Sequence, residues 1–574
     1  MPKSDIIIRI GGEGGEGVIS TGDMFTTGAA RTGFRVFTFR TYPSEIKGGH
    51  AWYQIRVSDR PVLSIGDGID VLIAFDAEAY ERHVGLVHEH GVVIYDPDRV
   101  SPDGRNGRIL YPVPLQRMAR EKLDFQRGKN TLTLGIMAGL FGLDPASLED
   151  LVKTRLKRRA ELLEKNLEAL HFGYQHTREI RKEDGYYLGT SDHVSRLVMS
   201  GNDAIVAGAL YAGCRFYAGY PITPASEILE AMARELPRLG GVFLQGEDEM
   251  ASLASCIGAS FTGTKAMTAT SGPGFSLMTE LMGLASMAEV PVVIVDAQRA
   301  GPSTGMPTKL EQGDLYHALY AGHGDFPRIV VAPGSVEDCL VQIVNTFNLS
   351  EKYQLPAIFL SDQSLSHRTE SLEMPDLSGL EVVERGRPSA EQMEHYLRYR
   401  VTDSGVSPIA LPGADVQGTY VAPGLEHDEI GHPDLDPAVH EAMTRKRFRK
   451  MASLRQELEA PQRYGADKAE VGVIGWGATE GAIQEAVDRA VEQGYAVAAI
   501  HPRVLDPLAV EAIGEFIGSV KHVIVPEVNY QGQFAHHLAG TFAIKPHRLN
   551  KYGGLPFTPG EIFAKIEEVL NHDH

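Results

Sequence analysis

Short runs of apolar, mostly β-branched residues alternate with glycine turns and stretches of helical spacing, and they do so in three separate blocks of the chain. Short β-branched runs that alternate with stretches of helical spacing imply sheets covered by helices, so the fold class is α/β. In the first block, residues 6–10 form a strand pattern, a glycine turn follows, 18–31 is amphipathic, and 35–39, 71–75 and 91–95 continue as strands. The expectation is a mostly parallel sheet in a domain spanning 1–190, with 153–170 as one solvated helix laced by i,i+4 pairs. The pattern restarts near Gly201, and a second α/β domain is expected over 195–370, with buried strands at 292–295, 329–332 and 357–360. Between 371 and 465 prolines are frequent and periodicity fades, which reads as an extended, packed linker whose 445–458 stretch is helical. Alternation returns at 466–574, with strands at 471–474, 496–500 and 522–525. At roughly 150 residues per domain, 574 residues are enough for each block to carry its own core.

The formal charge of −20 has the wrong sign for a protein that follows a phosphate backbone, so no nucleic-acid partner is expected. Cys214, Cys256 and Cys339 match neither a disulfide framework nor the ligand spacing of zinc or iron–sulfur sites; they read as small buried apolar residues in a reducing, cytoplasmic setting. The N-terminal residues lack the apolar core of a signal peptide, and no run of eighteen apolar residues follows, so neither export nor membrane spanning is expected.

Gly12-Glu-Gly14-Gly-Glu-Gly17 lies between a strand and a helix, where glycines let a pyrophosphate approach a helix N-terminus. A ribose-binding carboxylate is expected at the end of the second strand, but Arg40 stands there, which disfavours NAD and suits a ligand with an additional ribose phosphate, NADP or coenzyme A. A tight turn that merely packs the helix explains the glycines equally well. Downstream, the stretch from Arg40 through Lys47 to His50 gathers cations, hydroxyls and glycines and reads as a functional loop.

The second block holds the densest chemistry. Tyr220-Pro221-Ile222-Thr223-Pro224 precedes a helical pattern, placing Thr223 at a helix start with Pro224 in the first turn; a capping hydroxyl is the alternative. Glu247-Asp248-Glu249 precedes a small-residue helix, where one carboxylate could be buried and hold a proton-dependent hydrogen bond, or where acids merely favour a helix N-terminus. Thr270-Ser271-Gly272-Pro273-Gly274 ends a strand in a hydroxyl-glycine turn suited to cofactor contact. Arg299, Ser303, Thr304 and Lys309 put two cations and several hydroxyls on one Gly/Pro-rich loop, apt for a dicarboxylate.

The Tyr-Pro-Ile-Thr-Pro, Thr-Ser-Gly-Pro-Gly and Gly-Pro-Ser-Thr-Gly segments, in that order, resemble the α subunit of 2-oxoacid:ferredoxin oxidoreductases, and the Gly-Gly-Glu-Gly-Gly-Glu-Gly domain resembles their γ portion fused in front. The Lys309-Leu-Glu-Gln312-Gly-Asp314 continuation is more like the 2-oxoglutarate members than the pyruvate ones. The resemblance implies an N-terminal γ-type Rossmann-like domain, a pyrimidine-type thiamine diphosphate domain and a transketolase-C-like domain. It implies decarboxylation of a 2-oxoacid on thiamine diphosphate, electron transfer through [4Fe-4S] to ferredoxin, and acyl transfer to coenzyme A. By the same resemblance Glu249 bonds the aminopyrimidine ring, with Glu247 in reserve. Tyr220, Pro221, Ile222, Ser271 and Gly272 line the cofactor, Thr223, Ser303 and Thr304 face the substrate, and Arg299 pairs with its near carboxylate. Lys309 would pair with the distal carboxylate, while Gly12, Gly14, Gly17, Arg40 and Lys47 lie on the coenzyme A side.

Gly66-Asp67-Gly68 lacks the asparagine that a magnesium–diphosphate motif needs and reads as a turn, and three cysteines cannot ligate a four-iron cluster. The resemblance therefore places Mg2+ and the cluster on a separate β subunit in an α2β2 complex. The Glu426-His427-Asp428 to His432 stretch carries ligand types without helical spacing and is assigned no metal. Alternatives are a pyruvate or branched-chain 2-oxoacid enzyme, an NADP-linked dehydrogenase built on the first domain, or a non-catalytic scaffold.

Overall fold

The computed structural model describes residues 4–43, 48–102, 107–189, 191–415 and 418–571. Contacts divide it into two units, one within 1–200 that takes in His367–Pro375, the other formed by Gly201–Ser366 with the chain from Asp376 onward.

The first unit is an eight-stranded sheet in the order Ile109–Pro112, Val87–Tyr95, Ile69–Ala74, Asp5–Glu13, His50–Ser58, Arg35–Thr41, Thr369–Leu372, Leu197–Ser200. Three of its seven strand pairings are parallel and four antiparallel. Strand His50–Ser58 inserts antiparallel between Asp5–Glu13 and Arg35–Thr41, which corrects the mostly parallel expectation. The strand order is a tertiary property that apolar runs do not encode. The stretch read as one helix is two, Pro145–Leu156 and Ala160–Ile180, broken at three consecutive cations. The second of these is no simple solvated helix: a side chain at Gly173 or Gly135 would overlap the backbone of the opposed helix, so glycine lets Lys129–Phe141 and Ala160–Ile180 approach backbone to backbone.

The second unit carries two sheets. The larger runs Val504–Asp506, Ile329–Val331, Pro356–Asp362, Val292–Gln298, Ala266–Thr270, Phe216–Gly219, Val242–Gln245, parallel apart from its first pair. The smaller runs Tyr464–Gly465, Val497–Ile500, Val471–Ile474, His522–Glu527, His547–Asn550. The central strands Val292–Gln298 and Pro356–Asp362 are buried throughout, as β-branched runs covered on both faces must be.

The stretch read as a linker contains a 19-residue helix, Pro437–Arg455, longer than the 445–458 expectation. Asp436 caps it and Pro437 occupies its first turn. Lys446 and Lys450, fully buried, reach Glu289 at 2.6 Å each. A low apolar periodicity concealed this helix because its inward face is held by charge.

Candidate functional site

Four parallel neighbours of the larger sheet end on one edge, and the turns after them carry the residues singled out above; in open α/β sheets that carboxyl edge is where ligands bind. After Val242–Gln245 the chain turns into helix Glu249–Phe261, capped by the Asp248 carboxylate on the Ala251 amide at 2.7 Å. The cap aims the helix N-terminus and leaves Glu249, its first residue, 6% exposed, while Glu247 is exposed. Across from it, a side chain at Gly274 would overlap both Glu249 Oε1 and Thr270 Oγ1, so only glycine leaves room for this carboxyl. Ser271, wholly buried, has an Oγ without a hydrogen-bond partner among the described residues. A buried carboxyl in a glycine cradle with an unsatisfied hydroxyl beside it fits a heterocycle that offers both a donor and an acceptor.

After Phe216–Gly219 the chain forms a turn over Thr223–Ala225, and the helix begins only at Ser226. Pro224 therefore sits ahead of the helix, not in its first turn, and its carbonyl is fixed by Asn202 at 2.9 Å. Tyr220 and Pro221 are exposed, and Ile222 and Thr223 half-buried. Arg299, 8% exposed, donates from Nη1 to the Thr223 carbonyl at 2.6 Å and from Nη2 to the Thr304 carbonyl at 3.1 Å. The guanidinium thus ties the Thr223 turn to the loop that carries Ser303 and Thr304, both exposed. That loop is closed on itself by Met306 N to Ala300 O at 2.9 Å and Ala300 N to Lys309 O at 3.0 Å.

Beneath Gly272, where a side chain would come within 2.8 Å of Asp314 Oδ2, lies a carboxyl pair that sequence reasoning missed. Asp296 is wholly buried; burial and then the neighbouring Asp314 carboxyl hold its pKa well above the carboxylate range. Burial raises Asp314 to about 6, against the pull of Arg299. The two raised carboxyls favour the protonated form, and neither Asp296 oxygen has a hydrogen-bond donor among the described residues. The visible signal was a lone acid following the apolar run 292–295 within the fully buried strand Val292–Gln298. The loop beyond is latched by Gln312 N to Val528 O at 2.7 Å and Asn529 Nδ2 to Gln312 O at 3.0 Å. Glu527 holds Trp476 Nε1 at 3.2 Å and the Phe534 amide at 2.7 Å, so the 527–534 turn serves packing around the site loop.

In the first unit, Gly12 is the penultimate residue of strand Asp5–Glu13, and Gly17, with φ 90°, precedes helix Val18–Arg31. Gly14 donates to the Gly49 carbonyl at 2.8 Å, and Glu16 binds Arg99 at 2.5 Å and Lys129 at 3.0 Å. Arg40 lies 3.6 Å from Asp23 of the helix. Lys47 lies outside the described residues. Beside the loop, Arg9 Nη1 bonds His83 Nδ1 at 3.1 Å and His83 Nε2 lies 2.7 Å from His50 Nε2, a buried chain that no sequence motif announced. Among the described residues no group of three or more His, Cys, Asp or Glu converges as a metal site. Glu426, in the stretch assigned no metal, instead pairs with Arg447 at 2.8 Å. No helix among them is long and apolar enough to cross a membrane.

A buried carboxyl in a glycine cradle at the carboxyl edge of a parallel sheet is the arrangement of a cofactor-binding α/β enzyme. Residues 207–446 match the family described as pyruvate flavodoxin/ferredoxin oxidoreductase, thiamine diphosphate-binding. Residues 7–176 match pyruvate ferredoxin/flavodoxin oxidoreductase, and 469–562 match pyruvate:ferredoxin oxidoreductase core domain II. The chain is 31% identical to 2-oxoacid:ferredoxin oxidoreductase 2, subunit alpha, of Aeropyrum pernix, over 99% of this chain and 98% of that one. It is also 31% identical to 2-oxoglutarate oxidoreductase subunit KorA of Mycobacterium tuberculosis, over 99% and 92%. A solved 2-oxoglutarate:ferredoxin oxidoreductase from Magnetococcus marinus, with 2-oxoglutarate, coenzyme A and succinyl-CoA bound, superposes with a TM-score of 0.95 at 41% identity, over 99% of each chain. The chain belongs to the α-subunit family of 2-oxoacid:ferredoxin oxidoreductases. Its three regions are the γ-type Rossmann-like, pyrimidine-type and transketolase-C-like parts that the motifs implied. As an α subunit, it works with a partner subunit.

Proposed function

We propose that this chain is the α subunit of a 2-oxoglutarate:ferredoxin oxidoreductase, interconverting 2-oxoglutarate, coenzyme A and oxidised ferredoxin with succinyl-CoA, CO2 and reduced ferredoxin. The observation that carries the reading is the end-to-end likeness, at 41% identity, to a 2-oxoglutarate enzyme. Bound thiamine diphosphate supplies the electron sink into which the carboxylate-bearing bond breaks. The chain's own residues bind and orient. Glu249 holds the aminopyrimidine and its proton from within the Gly274 cradle, with Ser271 and Gly272 below and the Tyr220-Pro221-Ile222 turn alongside. Thr223 meets the substrate's carbonyl end, and Ser303 and Thr304 border it on the closed loop. Arg299 acts on the substrate carboxylate while holding both of those segments by their carbonyls, a positioning role beyond the pairing expected from sequence.

Lys309 takes the distal carboxylate that a pyruvate-type substrate lacks. Gly12, Gly14, Gly17, Arg40 and Lys47 form the coenzyme A side; the glycines also have packing roles. The partner is a β subunit in an α2β2 assembly that holds Mg2+ and [4Fe-4S] and passes electrons to ferredoxin. Three buried thiols suit a cytoplasmic location. Substituting Lys309→Ala in the reconstituted complex tests the substrate. Turnover of 2-oxoglutarate should fall at least tenfold more than that of a short monocarboxylic 2-oxoacid; equal losses would remove the distal-carboxylate reading.

A further inference from the structure

The backbone of Lys309 is fixed on both sides. Its amide donates to Met306 O at 3.0 Å and its carbonyl accepts from Ala300, while the next amide, Leu310 N, donates 3.2 Å to the carbonyl of Gly554. Gly554 belongs to the Lys551 to Leu555 turn that follows the last strand of the smaller sheet, some 245 residues further along the chain. Its φ is 77°, a conformation that side-chain-bearing residues seldom adopt. A Cβ there would lie 2.8 Å from Lys309 Cβ, 3.2 Å from Cγ and 3.3 Å from Cδ. The first atom of the lysine stem has no freedom to yield, because both flanking peptides are hydrogen-bonded; the stem runs along the bare face of this glycine. Gly553, its neighbour, faces open space.

We infer that Gly554 is a specificity-positioning residue: the transketolase-C-like part of the chain, through this missing side chain, sets the direction of Lys309 and so the length of 2-oxoacid the site accepts. The inference rests on Lys309 as the distal-carboxylate partner. A displacement of about 1 Å in a substrate-holding group is enough to cost one to two orders of magnitude in rate for the substrate that needs it. It costs nothing for a substrate that ends short of it.

The test uses the complex with the partner subunit and compares kcat/KM for 2-oxoglutarate with that for a short monocarboxylic 2-oxoacid. Gly554→Ala should lower the ratio about tenfold by acting on the longer substrate. Gly554→Asn, which tolerates the left-handed backbone, should match it, separating the steric effect from backbone strain. Gly553→Ala should leave both substrates as they are. In a Lys309→Ala background, Gly554→Ala should change the ratio no further.

Equal losses on both substrates, no loss, or a further change in the Lys309→Ala background would overturn the inference. Failure of both Gly554 variants to assemble would show a structural residue only and overturn it too. If Lys309→Ala itself leaves the ratio unchanged, the substrate reading has failed instead, and the two failures are told apart.

Discussion

At the scale of single residues, the site is built as much from absent side chains as from present ones. Gly274 leaves room for Glu249, Gly272 for Asp314 and Gly554 for Lys309. Gly274→Ala would drive a methyl group into the Glu249 carboxyl, and we expect thiamine diphosphate affinity, measured by titration of the assembled enzyme, to fall at least tenfold; unchanged affinity would place the cofactor elsewhere. The Asp296–Asp314 pair predicts a pH effect with a definite sign. Both folded-state values are raised, so the pair's contribution to stability is complete below the unfolded carboxyl value of about 3.9 and is lost as pH rises through about 6 for Asp314 and through the raised value of Asp296. Asp296→Asn removes one titration and offers Asp314 an amide donor. The fall in Tm between pH 5 and pH 8 should therefore be smaller in the variant than in wild type, by about 3 °C or more. Parallel profiles would mean that protonation of the pair does not contribute to stability.

At the scale of elements, helix Pro437–Arg455 shows how a charged face can be an inward one. Burial would raise the pKa of Glu289, but Lys446 and Lys450 overcome it and hold the carboxyl well below the ordinary range. Removing that charge leaves two buried lysines without their counter-ion, and Lys450, which burial already pulls down to about 7, must lose its proton or stay charged and unpaired. Glu289→Gln is expected to cost about 3–5 kcal/mol, read as a thermal midpoint lower by roughly 10 °C. A shift within 2 °C would show that the lysines find other partners. Replacing all three by well-packed apolar residues should cost far less than Glu289→Gln, because desolvation of the buried charges offsets much of their mutual attraction. The same helix explains why the segment looked like a linker: its inward positions are Met443, Lys446, Arg447, Lys450, Met451 and Leu454, only half of them apolar.

At the scale of the whole molecule, the C-terminal block is not a separable module. Strand Val504–Asp506 pairs with Ile329–Val331 and completes the larger sheet. Trp476, Phe534 and Leu538 share one core with Met282 and Ile294. A fragment of 466–574 expressed alone should therefore lack a cooperative thermal transition, and limited proteolysis of the intact chain should nick it without releasing that fragment; a folded, soluble fragment would contradict the shared core. The sequence by itself determined the class of every block. Short β-branched runs such as 6–10 and 292–295, bounded by glycine turns, read as buried strands, and the motifs after them carried the family resemblance that grouped Glu249, Thr223, Ser271 and Arg299. The antiparallel insertion of His50–Ser58, the meeting of the Asp296 and Asp314 carboxyls beneath Gly272, the use of Arg299 on two backbone carbonyls and the seat of Lys309 on Gly554 were decided only by tertiary structure. Apolar periodicity reports which face a residue turns inward and carries no record of what waits there. Strand order, paired charges and the space left by a glycine hundreds of residues away are properties of two distant segments meeting, and neither segment holds them alone.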